Sequence, residues 1–181
     1  MTRQMTRWRG ADVLTRVLDR AGQRTIFALS GNHIMPVFDA TIGTGLALIH
    51  TRHEAASVHM ADAYAPVVAV MGDGTFGFHM AEFDTAVRHN LPFVAVVAND
   101  ASWGAEHQIQ LRDYGADRTH SCALLPSRYD QVAVALGGHG ELVTEAAALA
   151  PALERAIDSG KPACLNVMIA AHRAPVVRQP V

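Results

Sequence analysis

An excess of basic charge is the first thing this 181-residue chain does without: 15 Lys and Arg stand against 17 Asp and Glu, a formal net charge of -2. No positive field for nucleic acid follows from that balance, and Arg3, Arg7 and Arg9 are too scattered to build one. Cysteine is scarce as well. Cys122 and Cys164 lie far apart with no CxxC or Cys/His spacing, which suits free thiols in a reducing cytosol better than a disulfide or a zinc site. His120 beside Cys122 lacks the companion pair that a zinc site needs. Long hydrophobic runs are missing: no stretch reaches the roughly 18 apolar residues of a membrane span. The first residues carry no apolar signal segment, so the expectation is a soluble, cytoplasmic protein without a membrane or nucleic-acid partner. Internal repeats are absent.

What the chain does have is core. Half of its residues are hydrophobic, enough for one well-buried domain at this length and not for two. Apolar runs at Thr25 to Leu29, Leu46 to His50, Val67 to Met71, Phe93 to Ala98 and Ala163 to Ile169 read as strands. Helical patterns occupy Ala11 to Ala21, Ile34 to Ala40, His53 to Ala65, His79 to Asn90, Tyr129 to Leu136 and Thr144 to Asp158, the last capped by Thr144 and stopped by Ser159-Gly160 and Pro162. Strand and helix alternate, which predicts an α/β fold: a single doubly wound, mostly parallel sheet of about five strands with helices on both faces. Residues 11–173 form that domain, with 1–10 and 174–181 as flexible ends. Pro66 joins a helix to a strand with almost no loop.

Each chemically suggestive cluster follows a predicted strand: Ser30-Gly31-Asn32-His33, Arg52-His53-Glu54, Gly72-Asp73-Gly74 and Asn99-Asp100. In open parallel sheets that carboxyl edge is where ligands bind. Asp73 between two glycines fits a cation beside a closely approached diphosphate; a strand-ending turn is the plain alternative, and the second acid one strand later favours the first. Glu54 in a first helical turn would equally complement the helix dipole. His33 could orient a carboxylate or move a proton, and could equally serve a helix N-terminus. Trp103 and Phe76 could wall a pocket or simply pack.

The run GDGTFGFHMAEFDTAVRHNLPFVAVVAND followed by ASWG resembles the metal motif of thiamine diphosphate enzymes of the acetolactate synthase and benzoylformate decarboxylase type, which begins GDG and ends in an NN pair. The segments TIFALSGNHIMPVFDA and TRHEAASVHMADAYA resemble the same family's pyrimidine-binding domain. The resemblance implies Mg2+ held by Asp73, Asp100 and the Ser102 carbonyl, and cofactor contacts from Gly72, Gly74, Thr75, Asn99 and Trp103. It also implies a catalytic Glu54 that hydrogen-bonds the aminopyrimidine and promotes the tautomer that activates the thiazolium, with His33 facing substrate. Asp100 stands where the family more often has asparagine, which adds a negative charge.

Matching motifs cover most of residues 11 to 110, with a generic match at the final helix and strand. Between Ala65 and the GDG strand, relatives carry the rest of the pyrimidine domain, a middle domain and the opening strands of the diphosphate domain. The chain therefore reads as a hybrid, 11–65 pyrimidine-domain-like and 67–173 diphosphate-domain-like. Relatives share the cofactor between domains of different subunits, so the resemblance implies a homodimer in which Glu54 of one copy faces Asp73 and Asp100 of the other. The implied activity is that of a thiamine diphosphate and Mg2+ dependent carbon-carbon lyase or decarboxylase of 2-keto acids or acyloins. A catalytically impaired binding module and a Mg2+-dependent phosphoryl-transfer or receiver-like domain are the alternatives.

Overall fold

The computed structural model describes residues 9–28, 34–50 and 67–171. Helix α1 (Gly10–Arg20) starts where Asp12 accepts the Arg9 backbone N–H at 3.0 Å and its guanidinium at 2.7 Å, and it turns Leu14 and Leu18 inward. Strand β1 (Thr25–Ala28) pairs in parallel with β2 (Ala47–His50), and α2 (Met35–Ala40) lies between them in the chain. The buried Thr15 hydroxyl donates to the Ala40 carbonyl at 3.2 Å and so ties α1 to α2.

A second sheet carries the rest. Its strands are β3 (Val67–Gly72), β4 (Phe93–Asn99), β5 (His139–Val143) and β6 (Ala163–Met168), in the order β3-β4-β6-β5, all parallel. Helices α3 (Asp73–His79) and α4 (Glu82–Arg88) follow β3. Helix α5 (Gly104–Tyr114) follows β4, α6 (Tyr129–Ala135) precedes β5, and α7 (Leu149–Asp158) precedes β6.

Two-residue alternation divides the core. Val94 and Val96 of β4 and Leu165 of β6 face Leu149, Ala152, Leu153 and Ala156 of α7 and the Leu14–Leu18 stripe of α1. Ala95, Val97 and Cys164 face the other way, against Phe76, Phe83, Tyr129 and Ala133 of α3, α4 and α6. The α/β class, the parallel strands and the helices on both faces are as expected. The partition is not: among the described residues there are six strands, two in one sheet and four in another, rather than about five in one.

The extra strand is β5, within the stretch between Leu136 and Thr144 that the sequence reading assigns to no element. Its sequence HGELV has no apolar run because α6 backs directly onto it: a Cβ at Gly140 would run into the Asp130 carbonyl. Helix α5 also goes unpredicted, since none of its residues is buried. The expected helix from Thr144 starts later, at Leu149, after a 3-10 turn at Ala146–Ala148, and the expected helix over His79 to Asn90 is instead the pair α3 and α4.

Candidate metal-binding site

The ladder between β3 and β4 ends at the pair Gly72↔Ala98, so the two chains leave the sheet side by side, with Asp73 opening α3 and Asn99-Asp100 closing β4. Asp73 is 1 % exposed. The backbone N–H groups of Gly74 and Ser102 favour its ionised form. Its Oδ2, by contrast, is buried without a hydrogen-bond partner among the described residues. Burial first, and then the charge of the half-buried Asp100, push the Asp73 acid above its ordinary value.

An orphaned carboxylate oxygen of this kind is costly unless a cation completes it. No three His, Cys, Asp or Glu side chains cluster as metal ligands among the described residues. Two carboxylates and a backbone carbonyl leave a hard divalent cation short of its usual oxygen count, so water or phosphate oxygens would supply the rest. The donor set fits Mg2+ or a similar ion.

The loop after β4 is built to meet Asp73. The Asn99 side chain accepts the Ala101 N–H at 3.1 Å, and Ala101 takes a left-handed φ of 55°. Ser102 bridges Ala123 in antiparallel fashion, with Trp103 N–H donating to the Cys122 carbonyl at 2.8 Å and Leu124 N–H to the Ala101 carbonyl at 2.7 Å. In such a non-hydrogen-bonded pair the residue's own N–H and C=O point away from the partner strand. Ser102 thus turns its N–H and C=O away from Ala123, and its N–H favours the ionised form of Asp73.

The glycines have different reasons from a sharp turn. Gly72 has ordinary extended backbone (φ -77°, ψ 162°), and a Cβ there would meet no described atom within 4 Å. Gly74 is required by contact: a Cβ would lie 2.7 Å from the Trp103 ring, which also packs against Phe78 at 5.4 Å. Thr75 is exposed on the first turn of α3. Phe76 packs in the core on Phe83 and Tyr129.

Asn99, expected to contact the cofactor, has its side chain hydrogen-bonded within the protein. Its amide donates to the Ser127 carbonyl at 3.1 Å and to Asn166 Oδ1 at 3.0 Å, so with the Ala101 contact its side chain is engaged internally. Asn166, Ser127, Asp130 and Tyr129 complete the surroundings and were not singled out from sequence. For Asn166 a signal existed, a single amide in the otherwise apolar strand ACLNVM. Burial pushes the Asp130 acid up, but hydrogen bonds from Arg128 and Asn166 outweigh it and leave the acid below its ordinary value. Burial raises the Tyr129 phenol, and the Asp73 charge adds to that. Cys122 donates its thiol to the His120 carbonyl at 3.3 Å. Glu54 and His33 lie outside the described residues.

A family profile described as the C-terminal TPP binding domain of thiamine pyrophosphate enzymes matches residues 13–167. The acetolactate synthase large subunit IlvG of Mycobacterium tuberculosis is 50% identical over 103 residues, 56% of this chain and 18% of that protein. Sulfoacetaldehyde acetyltransferase of Alcaligenes xylosoxydans xylosoxydans is 36% identical over 107 residues, 57% of this chain and 18% of that protein. The matched part is thus about a fifth of those relatives' length. Benzoylformate decarboxylase from Polynucleobacter necessarius superimposes with a TM-score of 0.71 over 97% of this chain and 36% of its own, at 16% identity, a likeness of fold.

Proposed function

The chain belongs to the thiamine pyrophosphate enzymes, through their C-terminal TPP-binding domain, and from this premise we propose that Asp73, Asp100 and the Ser102 carbonyl hold Mg2+ against the diphosphate of thiamine diphosphate. The observation that carries the reading is the buried, unpartnered Oδ2 of Asp73 beside a second carboxylate. When bound, the cofactor supplies an electron sink for cleaving or forming the bond next to a carbonyl. Gly72 leaves room for the diphosphate to approach, Thr75 lies within reach of it on the exposed first turn of α3, and Trp103 fixes that turn.

Glu54 holds the proton at the aminopyrimidine and His33 orients the substrate carboxylate; both roles rest on the sequence motifs. The reaction is carbon-carbon lyase or decarboxylase chemistry on 2-keto acids or acyloins. The names of the relatives, a synthase and an acetyltransferase by sequence and a decarboxylase by fold, lie within that range. Residues 11–65 serve the pyrimidine end and 67–173 the diphosphate end, and two copies share their sites. In support, Phe78 is 71 % exposed beside Trp103 at the site, an apolar surface that a second copy would cover.

A second reading is a binding module with impaired catalysis, because the segments that relatives carry between the RHEAA and GDG motifs do not stand between Ala65 and Val67 here. Calorimetric titration of thiamine diphosphate with and without Mg2+, on wild type and Asp73→Ala, followed by assays of pyruvate decarboxylation and acyloin formation, separates the two. Binding that needs both Mg2+ and Asp73, with turnover, supports the enzyme; the same binding without turnover supports the module. Binding indifferent to Mg2+ sinks both. Mixing Glu54→Gln with Asp73→Asn protein tests sharing, since only shared sites regain turnover in the mixture.

A further inference from the structure

We infer that Asp130 and Asn166 are positioning residues for the metal loop: a directed chain of buried hydrogen bonds runs from the Asp130 carboxylate through Asn166 and Asn99 to the Ala101 N–H and fixes the backbone that leads into Ser102. The inference rests on the proposed Mg2+ site for its meaning, though not for its geometry.

Direction in the chain comes from groups that can only accept. Asn166 Nδ2 lies 3.2 Å from Asp130 Oδ1 and 2.9 Å from the Ser127 carbonyl. Neither partner has a proton to give while Asp130 is ionised. Arg128, at 2.6 Å with about half of its side chain toward solvent, keeps it so. The Asn166 amide nitrogen must therefore face both acceptors, which turns its oxygen toward Asn99. Asn99 in turn must offer its nitrogen, at 3.0 Å, and its own oxygen is left on the far side, where it takes the Ala101 N–H at 3.1 Å.

A flip of either amide would oppose like to like. Both side chains are 0 % exposed, so no solvent is at hand to satisfy a wrong orientation. The last bond stabilises a left-handed conformation that alanine rarely adopts. The chain links α6, β6 and β4, so one surface-anchored ion pair sets the backbone next to the acid pair.

The test compares Asp130→Asn with Cys164→Ala, a fully buried neighbour of Asp130 on the same sheet face that takes no part in the network. Amide exchange at Ala101, read by NMR on the cofactor-free protein, is expected to speed by about tenfold or more in Asp130→Asn and by no more than about twofold in Cys164→Ala. The Mg2+ dissociation constant in the presence of thiamine diphosphate is expected to rise about 10–100-fold in the first variant only. Ala101 exchange no faster in Asp130→Asn than in Cys164→Ala overturns the inference. Should wild type bind no Mg2+, the proposed function falls while the exchange comparison still decides this point. If Asp130→Asn does not fold, Arg128→Gln at the half-exposed end gives the same comparison, with about threefold faster Ala101 exchange expected and no change overturning.

Discussion

Replacing Asp73 with asparagine is expected to stabilise the metal-free protein while removing its response to Mg2+. The native state raises the Asp73 acid above its ordinary value of 3.8, through burial and then the Asp100 charge. Native protein therefore binds that proton more tightly than the unfolded chain does. As pH climbs from 3.8 through the raised native value, the unfolded chain releases its proton first, so stability falls across that window and stays lower above it. At neutral pH without metal, wild type carries the full cost and the asparagine variant does not.

A buried unsatisfied polar group costs about 1–3 kcal/mol. Asparagine leaves its own NH2 without an acceptor, which offsets that cost, but it removes the buried charge and its repulsion with Asp100; a charged group costs more than a neutral one, and that excess makes the net gain about 1–2 kcal/mol. For a chain of this size that is roughly 2–8 °C in Tm. Thermal unfolding followed by far-UV circular dichroism would read it in chelator at neutral pH, and the difference should shrink in acid. With Mg2+ and thiamine diphosphate at about a hundred times Kd, binding adds about 2.7 kcal/mol to wild type and the order reverses. An asparagine variant that melts at or below wild type in chelator at neutral pH refutes the argument.

Gly74→Ala should lose about 1–3 kcal/mol in urea unfolding, because its Cβ meets the Trp103 ring at 2.7 Å, and the added change Trp103→Leu should restore part of the loss. The Cys164 thiol, pushed up to about 12 by burial and then by the Asp130 charge, should resist iodoacetamide until the protein unfolds, as mass spectrometry of the alkylated peptides would show. The Glu141 acid is lowered by its Arg155 hydrogen bonds, so that pair contributes above the ordinary value of 4.5 and fades as pH falls through the lower native one. With Arg155 more than half exposed, Arg155→Ala should cost little at neutral pH and nearly nothing in strong acid, measured by urea curves across pH.

The sequence was most readable where a strand packs on both of its faces. Val67 to Met71 and Phe93 to Ala98 form unbroken apolar runs, and β3 and β4 lie there with Asp73 and Asp100 at their ends. It was least readable where packing needed the absence of a side chain. Strand β5 escapes an apolar pattern because Gly138 and Gly140 let Pro162 and Asp130 come close. The internal bonding of Asn99 was not legible for another reason: its side chain answers to Asn166, 67 residues away in the chain. A contact of that range leaves no local periodicity to read. Helix α5, with no buried residue, offered no face at all.

The pairing of Gly72 with Ala98 ties the acid pair to the interior in a way that loop-borne sites lack. Sliding β4 by one residue would carry Asp100 about 3.3 Å along the strand direction. The same slip would also turn Val94 and Val96 out of one core layer and Ala95 and Val97 out of the other. Any drift that misplaced the two acids would thus first be felt as misfolding. The spacing of the acids is inherited together with foldability, so it can outlast extensive change on the outer helix faces and extensive loss of flanking sequence.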